Sequence, residues 1–211
     1  TGAILAQNGI EPILQFTTRD RNRIAIQGDL LGGWALDIPN ILCLYGDEVK
    51  GGDQPDTKEV RDLDTIGILR TAHEIKTKKM YPSGRKIKDA PEFFIGGADT
   101  PFKVNSDFDG SKLINKIEAG VEFFQTQYVF EKDILKNYMR KLSELNITDK
   151  AYFIIGLGVI KSAKSARWMN KNLFGINIPE EIINRIEQSN DESIEGIKIC
   201  IELIEKYKSI E

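Results

Sequence analysis

Five short stretches of this sequence carry residue types that could hold a flat, polar ligand or act on it. In Leu44-Tyr45-Gly46-Asp47 an apolar run ends in a glycine and an acid. The glycine lets a planar ligand approach the backbone and the acid supplies charge, although the same pair also makes an ordinary strand-to-turn junction. Gln15-Phe16-Thr17-Thr18 leads into Arg19-Asp20-Arg21-Asn22-Arg23, which can bind diphosphate or carboxylate groups ahead of a helix. Equally, Asp20 or Asn22 caps that helix while the arginines pair with surface acids. Phe94-Ile95-Gly96-Gly97-Ala98-Asp99-Thr100-Pro101 puts small residues at a strand end, leaving room for something flat or for a tight turn. Asp109 precedes a helix opened by Ser111, and Lys116 lies seven residues further on. That is two turns along roughly one face, and helix capping with a solvated lysine explains the same spacing. In Phe123-Phe124-Gln125-Thr126-Gln127-Tyr128, a buried Gln127 amide needs partners, which are either backbone groups or a ligand.

Other chemistries find little support. Neither G-x-x-x-x-G-K-[ST] nor G-x-G-x-x-G occurs, which argues against a nucleotide triphosphatase and a dinucleotide-binding Rossmann domain. The single histidine, His73, lies in a helical pattern and reads as a surface or helix-packing residue. Cys43 and Cys200 read as buried reduced thiols, so neither a metal cluster nor a disulfide framework is expected. Trp168 and Met169 read as core residues. With 29 basic against 32 acidic residues, the chain has no electrostatic footprint for a nucleic acid or an anionic membrane. No apolar stretch approaches the length of about 18 residues that spans a bilayer, and no leader opens the chain, so the expected compartment is the cytoplasm.

The elements that must position these residues alternate. Continuous apolar runs over residues 12–18, 40–47, 92–98, 121–130 and 152–160 predict strands covered on both faces. Helical patterns cover 22–37 with Ile24, Leu31, Trp34 and Ala35 on one stripe, 65–79 with Ile66, Leu69 and Ala72, and 111–119 with Leu113, Ile114 and Ile117. The tail is helical over 162–174, again after Pro179, and over 191–210, where Ile194, Ile197, Ile201 and Ile204 are expected to face inward. A polar loop, 48–62, follows the second strand, the end at which α/β folds place their ligands. Five parallel strands fit either part of a βα barrel or a flavodoxin-like doubly wound sheet, and periodicity does not choose between them.

Taken in order, Phe16 to Arg23, Leu30-Leu31-Gly32, Pro39 to Asp47, Asp62-Leu63-Asp64, Gly96-Gly97-Ala98 through Pro101, Lys116 to Val121, Thr126 to Phe130 and Ile155 to Val159 resemble the methylenetetrahydrofolate reductase family. The resemblance covers nearly the whole chain. It implies an α/β fold of the (βα)8 TIM-barrel type, with residues 1–211 as one barrel domain that holds strands three to seven and lacks the first two and the last. FAD would lie across the strands' carboxyl ends. By position, Leu44, Tyr45, Gly46 and Asp47 match the family's flavin-contacting strand end, and Gln15, Thr17, Thr100, Asp109 and Lys116 match further flavin contacts. Gln127 matches the glutamine that contacts folate. Asp47 would sit near the flavin's N1 and C2 carbonyl edge and the pterin, tuning reduction potential and helping to bind the pterin rather than donating the proton.

The implied reaction is hydride transfer from reduced FAD to 5,10-methylenetetrahydrofolate, giving 5-methyltetrahydrofolate, in one-carbon and methionine metabolism. NADH, NADPH or an accessory electron-supplying subunit would be the donor, and a homo-oligomer is the expected assembly. The sequence departs from the family at four positions. Gln15 and Thr100 stand where many relatives have histidine, and Val60 and Gly96 where some have flavin-stacking tyrosines. The family's catalytic glutamate lies on its first strand, which this chain does not contain, so no residue here takes that role. The rival expectations are a noncatalytic subunit that binds flavin or folate or passes electrons onward, and a flavodoxin-like binding module.

Overall fold

The computed structural model describes residues 1–210. Helices and strands alternate in the order α1 (Gly2–Gln7), β1 (Ile13–Thr17), α2 (Arg23–Ala35), β2 (Asn40–Leu44), α3 (Thr65–Lys78), β3 (Phe94–Asp99), α4 (Ser111–Glu118), β4 (Phe123–Tyr128), α5 (Lys132–Glu144), β5 (Tyr152–Gly156), α6 (Ala163–Asn172), α7 (Glu180–Glu187) and α8 (Glu192–Lys208). The five parallel strands follow the order β1-β2-β3-β4-β5. A flavodoxin-like sheet places its second strand outside its first, whereas adjacent barrel strands follow chain order, so the observed order corresponds to a run of barrel strands. All five strands predicted from sequence are present. The α5 helix was missed because its apolar positions, Leu135, Tyr138 and Leu142, are set among many charges. Among the described residues, no helix is long and apolar enough to cross a membrane.

The residues cluster into two compact units. The first comprises 1–98, 111–124 and 150–152. Here β1 and β2 pair in register from Ile13 with Asn40 to Thr17 with Leu44. The α2 helix is capped by Asn22, whose side chain accepts from the Ile24 and Ala25 amides. Its buried face is Ile26, Leu30 and Gly33, not the expected stripe, and Ile24 and Ala35 are exposed. The reason is Gly33. An added Cβ there would lie 3.0 Å from Leu14, so the helix approaches β1 along its glycine side. Asp64 caps α3 through the Gly67 amide at 2.6 Å, and Ile68, Leu69, Thr71, Ala72 and Ile75 are buried. His73 packs on Gly120, where an added Cβ would fall 2.6 Å from it. Glu122 joins three elements, because it accepts from Lys76 Nζ at 2.7 and 2.8 Å and from the Ile95 amide at 3.0 Å. Cys43 is fully buried, and burial pushes its thiol up to about 12.

The second unit comprises 99–110, 125–149 and 153–211. Ser162 and Ser165 form a reciprocal capping box at the start of α6. Phe130, Ile160, Ala166, Ile178, Ile183, Ile186, Ile199 and Leu203 are among the residues of its core. Arg167 pairs with Glu187, tying α6 to α7, and Arg185 of α7 pairs with both Glu195 and Glu202 of α8. The face of α8 that turns inward is Gly196, Ile199 and Leu203, so the expected inward stripe is corrected: Ile194, Ile197, Ile201 and Ile204 are exposed by 52, 47, 55 and 37%. The helix carries two apolar stripes, and only the one containing glycine can lie directly on the chain at Ile160. Trp168, expected in the core, is 57% exposed, while Met169 packs against the cluster. Cys200 is half-buried, not fully buried as expected.

Two predictions follow from this packing. A Cβ at Gly196 would fall 1.8 Å from the Ile160 carbonyl oxygen, so Gly196→Ala is expected to destabilise the protein by about 1–3 kcal/mol in urea melts. Gly28→Ala, on an exposed helix position with nothing within 4 Å, is expected to stabilise it by about 0.5–1 kcal/mol. Equal shifts for the two would refute the account of Gly196. Separately, a colourless thiol reagent at pH 8 should modify Cys200 and spare Cys43 until denaturant is added, and labelling of Cys43 in the native protein would contradict its burial.

Candidate functional site

In the first unit the carboxyl ends of β1 and β2 lie level because Thr17 is paired with Leu44 and Gln15 with Leu42. Partners in parallel register share a face, so Gln15, Thr17, Leu42 and Leu44 line one side of the sheet, with Gly96 of β3 level with Leu42. Beyond Leu44 the chain turns through Tyr45, Gly46 and Asp47. Gly46 has φ +85°, and an added Cβ would lie 3.1 Å from both Thr17 and Arg19. The backbone angle favours glycine, and the tight space beside Thr17 and Arg19 adds to that preference. Thr18, fully buried, donates its hydroxyl to the Tyr45 carbonyl at 3.2 Å.

The residue that organises this turn is Arg61, which no sequence pattern singled out. Its Nη1 donates to the carbonyls of Tyr45 and Gly46, both at 3.2 Å, and its Nη2 donates to those of Gly46 at 3.2 Å and Asp47 at 3.4 Å. Its Nε donates to Glu59, and its guanidinium lies 3.9 Å from the centre of the Tyr45 ring. Arg19 adds a bond from Nη1 to the Asp47 carbonyl at 3.1 Å, while the Arg19 carbonyl accepts from the Val60 amide at 2.7 Å. The 48–62 loop is thus folded back on the strand end. The signal that could have found Arg61 is weak, since it is one cation in the charged run Lys58-Glu59-Val60-Arg61-Asp62.

The cationic stretch after β1 follows its plainer reading. Asn22 caps α2, and Arg19, Arg21 and Arg23 pair with Asp20, Asp29 and Asp62. The Arg23 side chain and amide hold Asp62 down at about 2. A carboxylate lowered in the folded state stabilises above its ordinary range and loses that contribution as pH falls through its folded value, so this tie at the start of α2 persists until pH falls through about 2. The Asp47 carboxylate, by contrast, is exposed and forms no ion pair among the described residues. Beside Gly96 the space is taken by the Phe123 ring, 2.3 Å from where a Cβ would be, and Phe123 stacks on Phe94 with centroids 5.0 Å apart. Lys116, read from spacing as solvated, is half-buried and donates from Nζ to the Ala98 carbonyl at 2.6 Å.

In the second unit, Thr100 follows Asp99, whose carboxylate accepts the Tyr138 hydroxyl at 2.9 and 3.0 Å. Burial and the nearby Asp99 charge push the Tyr138 phenol upward, so it acts as a donor. Phe102, Phe108 and Tyr138 form an aromatic triangle with centroids 5.3 to 5.7 Å apart, which fixes the loop carrying Thr100 and Asp109. Asp109 is exposed beside Gly110, which has φ +70°. Gly175 brings Thr100 and Gln127 together, since its Cβ would lie 2.6 Å from Thr100 and 3.7 Å from Gln127. The Gln127 amide is tied to backbone at both ends: Nε2 donates to the Phe174 carbonyl at 3.1 Å, and Oε1 accepts from the Tyr128 amide at 3.0 Å. One amide hydrogen and one lone pair remain for another partner. A cavity of about 600 Å³ among α5, β5 and the end of α8 contains none of the residues expected at the site.

The family model described as methylenetetrahydrofolate reductase matches residues 1–209. A probable methylenetetrahydrofolate reductase (NADPH) of Caenorhabditis elegans is 26% identical over 203 residues, covering 92% of this chain and 28% of that protein. Methylenetetrahydrofolate reductase 2 of Schizosaccharomyces pombe is 26% identical over 183 residues, covering 80% and 27%. This chain therefore spans just over a quarter of the length of these curated relatives. A solved structure from Clostridium thermocellum, an uncharacterized protein that binds two copies of 5-methyl-5,6,7,8-tetrahydrofolic acid, aligns with TM-score 0.47 and 16% identity over 93% of this chain and 82% of that one. Matched by the family model along nearly its whole length, the chain belongs to the methylenetetrahydrofolate reductase family.

Proposed function

We propose that this chain carries the flavin-binding strand ends of an FAD-dependent methylenetetrahydrofolate reductase. The observation that supports this best is the turn after β2. It is a backbone turn that favours glycine at position 46 through its positive φ, followed by an exposed carboxylate at Asp47 with no ion-pair partner among the described residues. A flat heteroaromatic ring can lie against such a turn, and a carboxylate there can accept from an N–H of the ring or of the pterin. Gln15, Thr17, Leu44, Tyr45, Gly46, Asp47 and Lys116 would hold the cofactor from the first unit. In the second, Thr100 and Asp109 keep the flavin-contacting roles that the family resemblance gives them, and Gln127 the folate-contacting one.

When bound, the flavin would supply the hydride that converts the methylene group of 5,10-methylenetetrahydrofolate to the methyl group of 5-methyltetrahydrofolate, with NADH or NADPH as the original donor. The protein's part is orientation and electrostatics. Thr17 and Leu44 offer a level rim at which a ring can rest, and Gly46 lets the turn close tightly against Thr17 and Arg19. Asp47 contributes negative charge at the ring's polar edge and an acceptor for the pterin. The remaining hydrogen of Gln127 Nε2 is available to a substrate carbonyl, while its Phe174 and Tyr128 bonds keep the amide from turning away. A cytoplasmic homo-oligomer, with or without an accessory electron-supplying subunit, completes the proposal.

The purified protein is expected to be yellow, to bleach on reduction and to regain colour when methylenetetrahydrofolate is added. A colourless protein that takes up no added FAD would reject the flavin reading, and bound flavin that never reoxidises with the folate would reject the reductase reading. Asp47→Asn should retain FAD yet slow folate-dependent reoxidation by about tenfold or more, because charge is removed and shape nearly preserved. Unchanged turnover would count against the carboxylate. For Gln127→Ala, apparent folate affinity should fall with little effect on FAD binding, whereas an unaltered affinity assigns the amide to loop anchoring alone.

A further inference from the structure

We infer that Arg61, held in place by Glu59, is a positioning residue that turns the backbone amides of Gly46, Asp47 and Glu48 into a row of donors for the acceptor edge of the flavin ring. This rests on the flavin reading above. Three successive carbonyls, those of Tyr45, Gly46 and Asp47, converge on one guanidinium. Among the described residues all peptide bonds are trans. In a planar trans unit the N–H of the next residue lies opposite the carbonyl, so the amides of Gly46, Asp47 and Glu48 point away from Arg61. Among the described residues, no turn, loop or side-chain hydrogen bond uses any of these three amides.

Arg61 itself is fully committed. All three guanidinium nitrogens donate within the chain, to Glu59 and the three carbonyls, while the plane rests on the Tyr45 ring. It therefore has no donor to spare for a ligand and acts only through the turn it holds. Glu59 is tethered in turn, because its other oxygen accepts from the Val49 amide at 3.1 Å. Successive amides on one side of a turn make a concave site for partial or full negative charge. A flavin's N1 and C2 carbonyl edge is such an acceptor, and it gains charge on reduction, so these donors favour the reduced ring.

A lysine keeps the charge but cannot fork across three carbonyls, which gives the test its form. In Arg61→Met, FAD affinity by fluorescence titration is expected to fall about tenfold, riboflavin affinity to fall by the same factor, and Arg61→Lys to restore neither. Arg61→Met combined with Glu59→Gln should be no worse than Arg61→Met alone, because both changes release the same turn. Unchanged flavin affinity in Arg61→Met, or full rescue by lysine, would overturn the assignment. A loss confined to FAD and absent for riboflavin would also overturn it, since the donors would then serve the diphosphate. If the wild-type protein binds no flavin, the functional reading fails on its own. The amide chemical shifts of Gly46, Asp47 and Glu48 then decide the geometry, and shifts unmoved by Arg61→Met would end the inference.

Discussion

The candidate site depends on register. In-phase parallel pairing sets Thr17 opposite Leu44 and Gln15 opposite Leu42, and a slip of β1 by one residue would send Gln15 and Thr17 to the opposite face from Leu42 and Leu44. The register is held from behind by an apolar set that tolerates no such exchange: Phe16, Ile41, Cys43 and Ile95 are all buried. A polar rim at the strand ends and an apolar layer behind it are two readings of the same alternation.

What surrounds that register divides by the range of the forces involved. Local signals were legible. The strand ends, the Asn22 cap and the glycine at position 46 all follow from residue types acting over a few positions. Family resemblance, carried by motifs along the whole chain, supplied the cofactor and substrate classes that composition could not.

The less legible features depend on which neighbour a residue meets. In α8 the stripe containing Gly196 became the buried one because closeness of approach outweighed side-chain hydrophobicity, and in α2 the buried face is the one where Gly33 meets Leu14. Arg61 was invisible because its role lies in carbonyls contributed by a strand end some fifteen residues earlier. Lys116 looked like a surface cation because spacing along a helix says nothing of the Ala98 carbonyl. The glycines of β3 suggested space for a ligand, yet at Gly96 an aromatic ring from the next strand fills it.

That last pair has an evolutionary corollary. Gly96 and Phe123 divide one volume between two strands, so neither position is free to vary by itself. A residue larger than glycine at 96 requires that the ring at 123 be smaller or displaced. Side-chain size at these two positions should therefore be anticorrelated.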